Sequence, residues 1–550
     1  MKKTLVPLLS TLLVLFLGCS KDSDSDPTDK LEPDIIAPEV DFSITGFDTS
    51  TTEPLLLKGE IEINVNATDQ GGIGKVEAFI DDTKVGEDVS SPYKIVVDLN
   101  SFLSSADKGS DDFNGVLKIA VSDKAGNQTT VSKSIVITIP TVLIKLTIPE
   151  GYLRPFFKTV YAFVSDMDGN LLESTVTPIS PTTRTLTLYA PEDFDLEKEF
   201  MLTFMTFNQS SITSSFATTY QNLTLENPKE IELKIPERFT TINNQILEAI
   251  GFPEHLHFIG DGTDYRTSLY SRTQEWLFSE MRPDTSPERT SNKIYLGYHS
   301  IEDHTDYYYL FLDRPLTEDF QLDISDFENT NSATKSISFT NFQHRPDIQT
   351  SVSIFGYENE EDVQNDIYHT LWALRTGNFA FPMQYNYNNS FYQYRHQIRM
   401  EHFYSEGIGL PKDEYTIPSW TINPVIQNNK VVLNKTGQGH TVGRLNLMKG
   451  NESFIYDWRI LFDSDKTDEV VIPKLPEAFQ NSPLANDISS GDLNIRQLEI
   501  SNFNNITAYG DYITKTVKEQ KDIHEVSDGR ETIFIANPSV YIQFKDLFFD

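Results

Sequence analysis

The sequence predicts a mostly β protein, with tandem β-sandwich modules followed by a large β-rich C-terminal region. Apolar and polar residues alternate with period two along much of the chain, as at Ile61, Ile63 and Val65, which is typical of half-buried strands. Helical periodicity is confined to short stretches, chiefly 242–250 and 360–374. The 550 residues are 38% hydrophobic and 12% aromatic, which is enough to build several packed cores.

Charge and cysteine content exclude several classes of function. The formal net charge is −36, from 45 Lys+Arg against 81 Asp+Glu. This balance argues against a broad basic face for nucleic acid or for an anionic membrane surface. The single cysteine excludes an intrachain disulfide framework and any multi-cysteine metal site. We predict no cofactor.

The first residues are typical of a secretion signal. A cationic start precedes an apolar run at residues 5–17, which is too short to cross a hydrocarbon core of about 30 Å as a helix. The run ends at Leu15-Phe16-Leu17-Gly18-Cys19, which resembles the lipobox of bacterial lipoproteins. This resemblance implies a cleaved signal peptide, 1–18, and a membrane anchor of acyl chains such as palmitate on Cys19. The alternative is an ordinary secretory signal with an incidental cysteine.

Residues 19–36 are acidic, contain prolines and have no hydrophobic period, which predicts a flexible tether. The early segment Ser20-Lys21-Asp22-Ser23-Asp24 is similar to the acidic export signal of Bacteroidetes lipoproteins. That resemblance implies a lipid-anchored outer-membrane protein at the cell surface. The other interpretation is a solvated spacer.

Residues 37–139 are predicted to form one β-sandwich, because six or seven short strands follow one another within about 100 residues. Three stretches, at 67–73, 91–93 and 121–127, resemble bacterial Ig-like domains. The resemblance implies a surface spacer or adhesion module, and it indicates architecture more than function.

Residues 141–236 are predicted to form a second β-sandwich module, with an Asp-Gly hairpin turn at 166–170. Residues 237–550 form a β-rich region that resembles no family we can name. Its clearest segment, 379–404, predicts a long hairpin with one aromatic face. We interpret that face as core, because the opposite face is polar.

The sequence predicts no metal site. Asp69, Asp123 and Asn127 offer hard oxygens that calcium prefers, but Asp and Asn at turns also bond to their own backbone. His255 and His257 put two imidazoles on one strand face without a third or fourth zinc ligand.

Aromatic residues are the remaining candidates for a binding site. Exposed Tyr and Trp side chains stack on sugar rings and anchor protein interfaces. The predicted ligand-binding residues are Tyr307, Tyr308, Tyr309, Trp372 and Trp420. The alternative is that these rings pack a core.

The sequence contains no G-x-S-x-G elbow, P-loop or H-E-x-x-H motif. The favoured hypothesis is therefore a non-catalytic binding or adhesion protein for an extracellular glycan or protein. The alternatives are a carbohydrate-active or other hydrolase with its site in 237–550, and a structural subunit of a cell-envelope complex.

The anchor can be tested directly. Cys19→Ser should abolish metabolic labelling of the chain with fatty acid and release the protein in soluble form, because acylation at this residue supplies the membrane affinity. Unchanged membrane retention would contradict a lipid anchor at Cys19.

Overall fold

The computed structural model describes residues 34–105, 112–138, 141–152, 159–178, 182–191, 194–209, 213–226, 229–235, 238–284, 289–301, 306–341, 350–376 and 382–536. The predicted signal peptide and Cys19 lie outside these residues. The chain divides into an N-terminal unit, residues 1–139, and a C-terminal unit, residues 140–550. No helix among the described residues is long and apolar enough to cross a membrane.

The N-terminal unit is a β-sandwich. Its elements are β1 (Glu39–Ile44), β2 (Leu55–Leu57), β3 (Glu60–Thr68), β4 (Ile73–Ile80), β5 (Thr83–Asp88), β6 (Tyr93–Asp98), α1 (Leu99–Ser105), β7 (Phe113–Asp123) and β8 (Gln128–Ile137). One sheet has the order β1-β3-β6 and the other β2-β8-β7-β4-β5. The alternation predicted for β3 is confirmed, because Ile61, Ile63 and Val65 are all buried in the core between the sheets.

The C-terminal unit contains 28 strands within the described residues. Its first strands are β9 (Val142–Ile148), β10 (Thr159–Asp166), β11 (Leu171–Pro178), β12 (Arg184–Tyr189), β13 (Phe200–Gln209), β14 (Thr213–Leu223), β15 (Glu230–Glu232), β16 (Phe239–Ile250), β17 (Leu256–Ile259), β18 (Tyr265–Tyr270), β19 (Glu275–Pro283), β20 (Lys293–Ser300), β21 (Tyr307–Asp313) and β22 (Gln321–Asp323).

The remaining strands are β23 (Ser332–Thr340), β24 (Thr350–Tyr357), β25 (His369–Thr376), β26 (Met383–Asn388), β27 (Gln393–Met400), β28 (Phe403–Ile408), β29 (Glu414–Thr416), β30 (Val425–Gln427), β31 (Lys430–Val432), β32 (Val442–Gly450), β33 (Phe454–Asp463), β34 (Glu469–Val471), β35 (Ile495–Phe503) and β36 (Gly529–Ala536). The helices are α2 (Glu360–Gln364), α3 (Pro483–Ser490), α4 (Tyr509–Tyr512) and α5 (Ile523–Val526), with a π-helical turn at Ile513–Lys518 and 3₁₀ turns at Ile324–Asp326 and Glu477–Phe479.

A twelve-stranded sheet joins the two regions that the sequence predicts as separate modules, 141–236 and 237–550. Its order is β11-β10-β13-β14-β33-β32-β35-β36-β28-β27-β24-β25. The junction is the parallel pair β14–β33, and the core under β10, β13 and β14 also contains Val442, Phe503 and Tyr512. Sequence alternation predicts which residues share a face of a strand, but it does not predict which strand pairs with it. A parallel partner far along the chain is also not marked by a hairpin turn in the sequence.

Two smaller sheets cover one end of the large sheet and form two further layers. Sheet β17-β20-β21 shares a core with β24 and β25 on one side, through Tyr295, Tyr307 and Trp372. On its other side it packs against sheet β18-β19-β16-β22, around Trp276 and Leu296. We call sheet β18-β19-β16-β22 the outer sheet.

Two local predictions are wrong, and the helical stretch predicted at 360–374 is confined to α2, because 369–374 belongs to β25. Residues 242–250, predicted as a helix, belong to strand β16, where pairing with β19 overrides the local pattern. The predicted 379–404 hairpin does not form, because β26 pairs with β23 while β27 pairs with β24 and β28. The aromatic face still packs inward, with Met383 and Tyr385 buried in the large core.

The junction can be tested through one buried hydrogen bond. Trp458 Nε1 donates to Thr219 Oγ1 at 2.8 Å across β14–β33, and both side chains are buried. Thr219→Val leaves the indole N–H without this acceptor, so we expect the free energy of unfolding to fall by about 1–3 kcal/mol. Urea titration followed by tryptophan fluorescence measures it, since all four tryptophans lie in the C-terminal unit.

Thr317→Val is the matched control, because Thr317 is exposed and the same substitution there should change stability by less than about 0.5 kcal/mol. Equal effects at the two positions would contradict the role of the Thr219 hydroxyl.

Candidate ligand-binding surface

Three of the predicted ligand-binding aromatics are core residues. Tyr307, Tyr309 and Trp372 are at most 2% exposed. Tyr307 Oη lies 2.8 Å from Tyr295 Oη, and the Trp372 ring stacks on His299 with centroids 4.4 Å apart. The prediction that these three side chains face a ligand is wrong, because both faces of sheet β17-β20-β21 are covered.

Tyr308 and Trp420, the other two predicted residues, are half-buried. The Tyr308 ring stacks on Tyr298 with centroids 5.2 Å apart. Trp420 Nε1 donates to the carbonyl of Gln438 at 2.8 Å, beside a glycine turn. Both side chains therefore contribute to packing or hydrogen bonding within the protein.

The two predicted zinc candidates do not converge. His255 is exposed, whereas His257 lies opposite His299 in the β17–β20 ladder, with ring centroids 4.9 Å apart. His257 Nε2 also lies 2.5 Å from the carbonyl oxygen of Ala373. Packing and hydrogen bonding to the neighbouring strand thus account for His257.

The predicted calcium candidates meet at one turn of the N-terminal unit. Carboxylate oxygens of Asp34, Asp69 and Asp123 lie within 4.8 Å of one another. Asn127 Nδ2 donates to Asp123 Oδ2 at 2.7 Å and to the carbonyl of Asp34 at 2.9 Å. The sequence missed Asp34, which it assigned to the flexible tether; the structure packs this residue against the β-sandwich.

Hydrogen bonds from within the turn satisfy the carboxylate of Asp123. Burial acts to raise the pKa of Asp123, but the hydrogen bonds from Asn127 and Gly126 outweigh burial and leave the pKa below its usual value. Asp123 Oδ1 accepts from the backbone N–H groups of both residues, at 2.8 and 2.6 Å. The turn is therefore satisfied by its own donors, as expected for Asp and Asn in turns.

A buried network around His369 contains residue types that occur in hydrolase triads. His369 Nε2 lies 3.0 Å from Glu358 Oε1 and 3.5 Å from Ser291 Oγ, and Nδ1 lies 2.7 Å from Tyr265 Oη. A triad needs the acid and the nucleophile on opposite ring nitrogens, whereas Glu358 and Ser291 both approach Nε2. His369 is 1% exposed, so the network is a structural link between layers.

His396 is a second buried imidazole, held in its neutral form. Its Nδ1 lies 2.9 Å from the carbonyl of Gly409, and its Nε2 lies 3.1 Å from Tyr415 Oη. The carbonyl can only accept, so Nδ1 donates and Nε2 accepts from the tyrosine. Burial lowers the pKa of His396 below its usual value.

Four exposed large apolar side chains of the C-terminal unit lie on the outer sheet: Phe239, Ile242, Ile246 and Tyr270. Ile246 is 70% exposed and Tyr270 is 51% exposed, whereas Leu247 and Trp276 on the inner face are buried. We define the platform as two cross-strand rows on the solvent side of this sheet. Its residues are Tyr270, Glu275, Glu248 and Gln321 in the first row, and Ser268, Leu277 and Ile246 in the second.

Strand geometry sets the spacing of the platform. Residues opposite each other in neighbouring strands have Cβ atoms about 4.5–5.5 Å apart, and the two rows are separated by two residues, or about 7 Å. Within the first row, Gln321 Nε2 donates to Glu248 Oε2 at 2.5 Å. Thr273, in the turn between β18 and β19, donates from Oγ1 to Glu275 Oε2 at 2.8 Å.

The platform combines an apolar surface with convergent polar groups. The Tyr270 ring and the side chains of Ile246 and Leu277 offer apolar area, while two carboxylates, an amide and a hydroxyl lie beside them. Such a surface can pack against the apolar face of a ligand and exchange hydrogen bonds with its polar edge. The sequence missed it because the predicted helix at 242–250 hid the strand that carries Ile246 and Glu248.

Residues 49–110 match the family model described as a bacterial Ig domain. This match confirms the bacterial Ig-like domain that the sequence predicts near the N-terminus. It covers a small part of the chain and does not reach the platform. No curated protein matches the sequence.

The chain is also similar to several solved structures. A carbohydrate-binding module of the β-sandwich superfamily shares 14% identity, covering 52% of this chain and 87% of that chain, with a TM-score of 0.15. SGBP-B of the Bacteroides ovatus mixed-linkage glucan utilization locus, solved with a mixed-linkage heptasaccharide, shares 11% identity over 63% and 91%, with a TM-score of 0.13. Fibronectin(III)-like modules of Clostridium thermocellum CbhA share 12% over 34% and 95%, with a TM-score of 0.14. At these TM-scores the similarities carry no argument about function.

The neutral state of His396 predicts a pH dependence of stability. Because the folded state lowers this pKa below about 6.5, the unfolded chain binds a proton below pH 6.5 that the folded chain does not. Stability is therefore fully present above pH 6.5 and falls as the pH drops, by up to about 1.4 kcal/mol per pH unit. Urea midpoints at pH 8, 6.5 and 5 measure the slope.

His396→Gln should reduce this slope, and a residual slope is expected from His440, whose pKa burial also lowers. His255→Gln, at an exposed position, is the control and should leave the slope unchanged. An undiminished slope in the His396 variant would show that other groups cause the acid sensitivity.

Proposed function

We propose that the protein is a lipid-anchored outer-membrane protein of the cell surface that binds an extracellular glycan without cleaving it, through the platform. The observation that carries this proposal is the half-exposed Tyr270 ring, which lies on the same solvent face as Ile246 and in one cross-strand row with Glu275, Glu248 and Gln321. Three of the five aromatics that the sequence offered as ligand contacts are buried in core clusters, so their chemistry is not available to a ligand.

A glycan suits the platform chemically. Sugar rings present C–H faces that pack on aromatic and aliphatic side chains, and their hydroxyls both donate and accept hydrogen bonds. The carboxylates of Glu248 and Glu275 accept, and the Gln321 amide does both. The negative charge of the chain, −36, favours a neutral or cationic ligand over a polyanionic one.

The N-terminal part of the chain supports the same function in our proposal. Acylation at Cys19 would supply the anchor, and the segment up to residue 33 would connect it to the Ig-like domain. In the order of the chain the Ig-like domain lies between the proposed anchor and the platform, and such a domain would act as a spacer.

Binding can be tested with matched tyrosine variants. Tyr270→Ala removes the ring that stacks on the ligand, and we expect affinity to fall about tenfold for a glycan that the wild-type protein binds. Tyr392→Ala is the control, because Tyr392 is 59% exposed and lies on neither platform row. Affinity electrophoresis in gels containing neutral plant and microbial polysaccharides identifies the ligand, and calorimetry with its oligosaccharides gives the affinities.

Equal losses in the two variants would contradict a site at the platform. Release of reducing ends from the bound polysaccharide would instead support the hydrolase alternative.

A further inference from the structure

Strand β16 has an open edge over most of its length. On one side it pairs with β19 from Phe239 to Glu248. On the other side it pairs with β22 only at residues 248–250. Among the described residues, no strand pairs with the second side of 239–247.

Hydrogen-bond parity shows which backbone groups face this edge. The N–H of Ala249 donates to the carbonyl of Gln274 at 2.8 Å, so residue 249 points toward β19. Antiparallel strands alternate in this respect, and residues 244 and 246 therefore direct their N–H and C=O groups to the open side. Such groups form a template for a further strand.

The open edge also lacks the charges that usually protect one. The segment 239–247 reads FTTINNQIL and contains no charged residue, although 23% of the chain is charged. Other edge strands carry charge, such as Glu173 in β11 and Arg266 in β18. Phe239, Ile242 and Ile246 in this segment are 38%, 44% and 70% exposed.

We infer that β16 is a dimerisation strand, which pairs through residues 239–247 with β16 of a second copy in antiparallel orientation. The absence of charge on this segment favours a second copy of the chain as its partner. Two chains of net charge −36 repel each other where acidic surfaces meet, and the uncharged segment is a place where two copies approach at low electrostatic cost. A strongly charged partner would find no complementary charge here.

Antiparallel edge pairing is also self-complementary, as a two-fold dimer requires. It joins β19-β16 of one copy to β16-β19 of the other, and it brings the exposed apolar side chains of the segment into cross-strand contact. Strand β22 limits the pairing at residue 247.

Asn244→Pro tests the interface. Proline removes the N–H that points to the open side and leaves the ladder with β19 intact, which an edge strand tolerates. Asn244→Ala keeps the N–H and is the matched control. Sedimentation equilibrium of the purified full-length chain in density-matched detergent, from about 1 to 100 µM, measures the dimer dissociation constant.

We expect a dimer for the wild-type chain and Asn244→Ala, and at least tenfold weaker association for Asn244→Pro. Circular dichroism and urea midpoints show whether the proline variant folds. If it does not, Thr241→Lys, which places like charges across the two-fold axis, takes its place. A wild-type chain that stays monomeric at the highest concentration, or a dimer that survives the substitution in a folded variant, overturns the inference.

The glycan-binding proposal and the dimer inference can be tested independently. Tyr270→Ala should leave the dimer intact, and Asn244→Pro should leave glycan affinity per chain unchanged, because Asn244 belongs to neither platform row.

Discussion

The parallel pairing of β14 with β33 is the constraint on which the rest of the C-terminal unit depends. It joins strands more than two hundred residues apart into one ladder, so that twelve strands form a single sheet. That sheet is covered on both faces where the junction lies, since Trp458 packs in one core and Tyr220 in the other. A parallel pair is stable in proteins when both faces are buried in this way. The remaining layers are built on this sheet.

The half-buried carboxylate of Asp366, which follows α2, is paired with two arginines. Asp366 accepts hydrogen bonds from Arg289 at 2.7 Å, from Arg395 at 3.1 Å and from Tyr357 Oη at 2.7 Å. Burial acts to raise the pKa of Asp366, but the charges of these arginines outweigh it and keep the pKa below its usual value. Breaking such a pair leaves an uncompensated charge, which costs more than the pair contributes. The network therefore specifies how the loop around α2 docks on β24 and β27.

Sequence alternation was sufficient to predict which face of a strand is buried, but it was insufficient to predict which strands pair. Ile61, Ile63 and Val65 lie in the core as predicted, because a period of two directly sets which side chains share a face. The 379–404 hairpin failed because neighbouring strands with compatible faces can each pair elsewhere, and β26 and β27 do so in different sheets. The helix predicted at 242–250 failed because apolar residues at 242, 246, 247 and 250 fit a helical period as well as a bulged strand, with the register shift between Thr241 and Asn243. Both misses fall in the region where the layers stack, where tertiary contacts outweigh local pattern.

The distribution of aromatics follows from the same layering. The middle sheet β17-β20-β21 is covered on both faces. Each of its tyrosines from 307 to 309 therefore packs against a core on one side or the other. The tyrosine run that was predicted to bind a ligand packs in these cores instead. Among the described residues of the C-terminal unit, no sheet packs over the solvent face of the outer sheet, and alternation leaves Tyr270 and Ile246 exposed there while Trp276 and Leu247 are buried. The open edge of β16 has the same origin, because β22 is three residues long and stops covering the strand at residue 248. A platform for a ligand and an edge for a second strand are thus two consequences of one fact, that β16 lies in the last layer of the stack and is only partly covered.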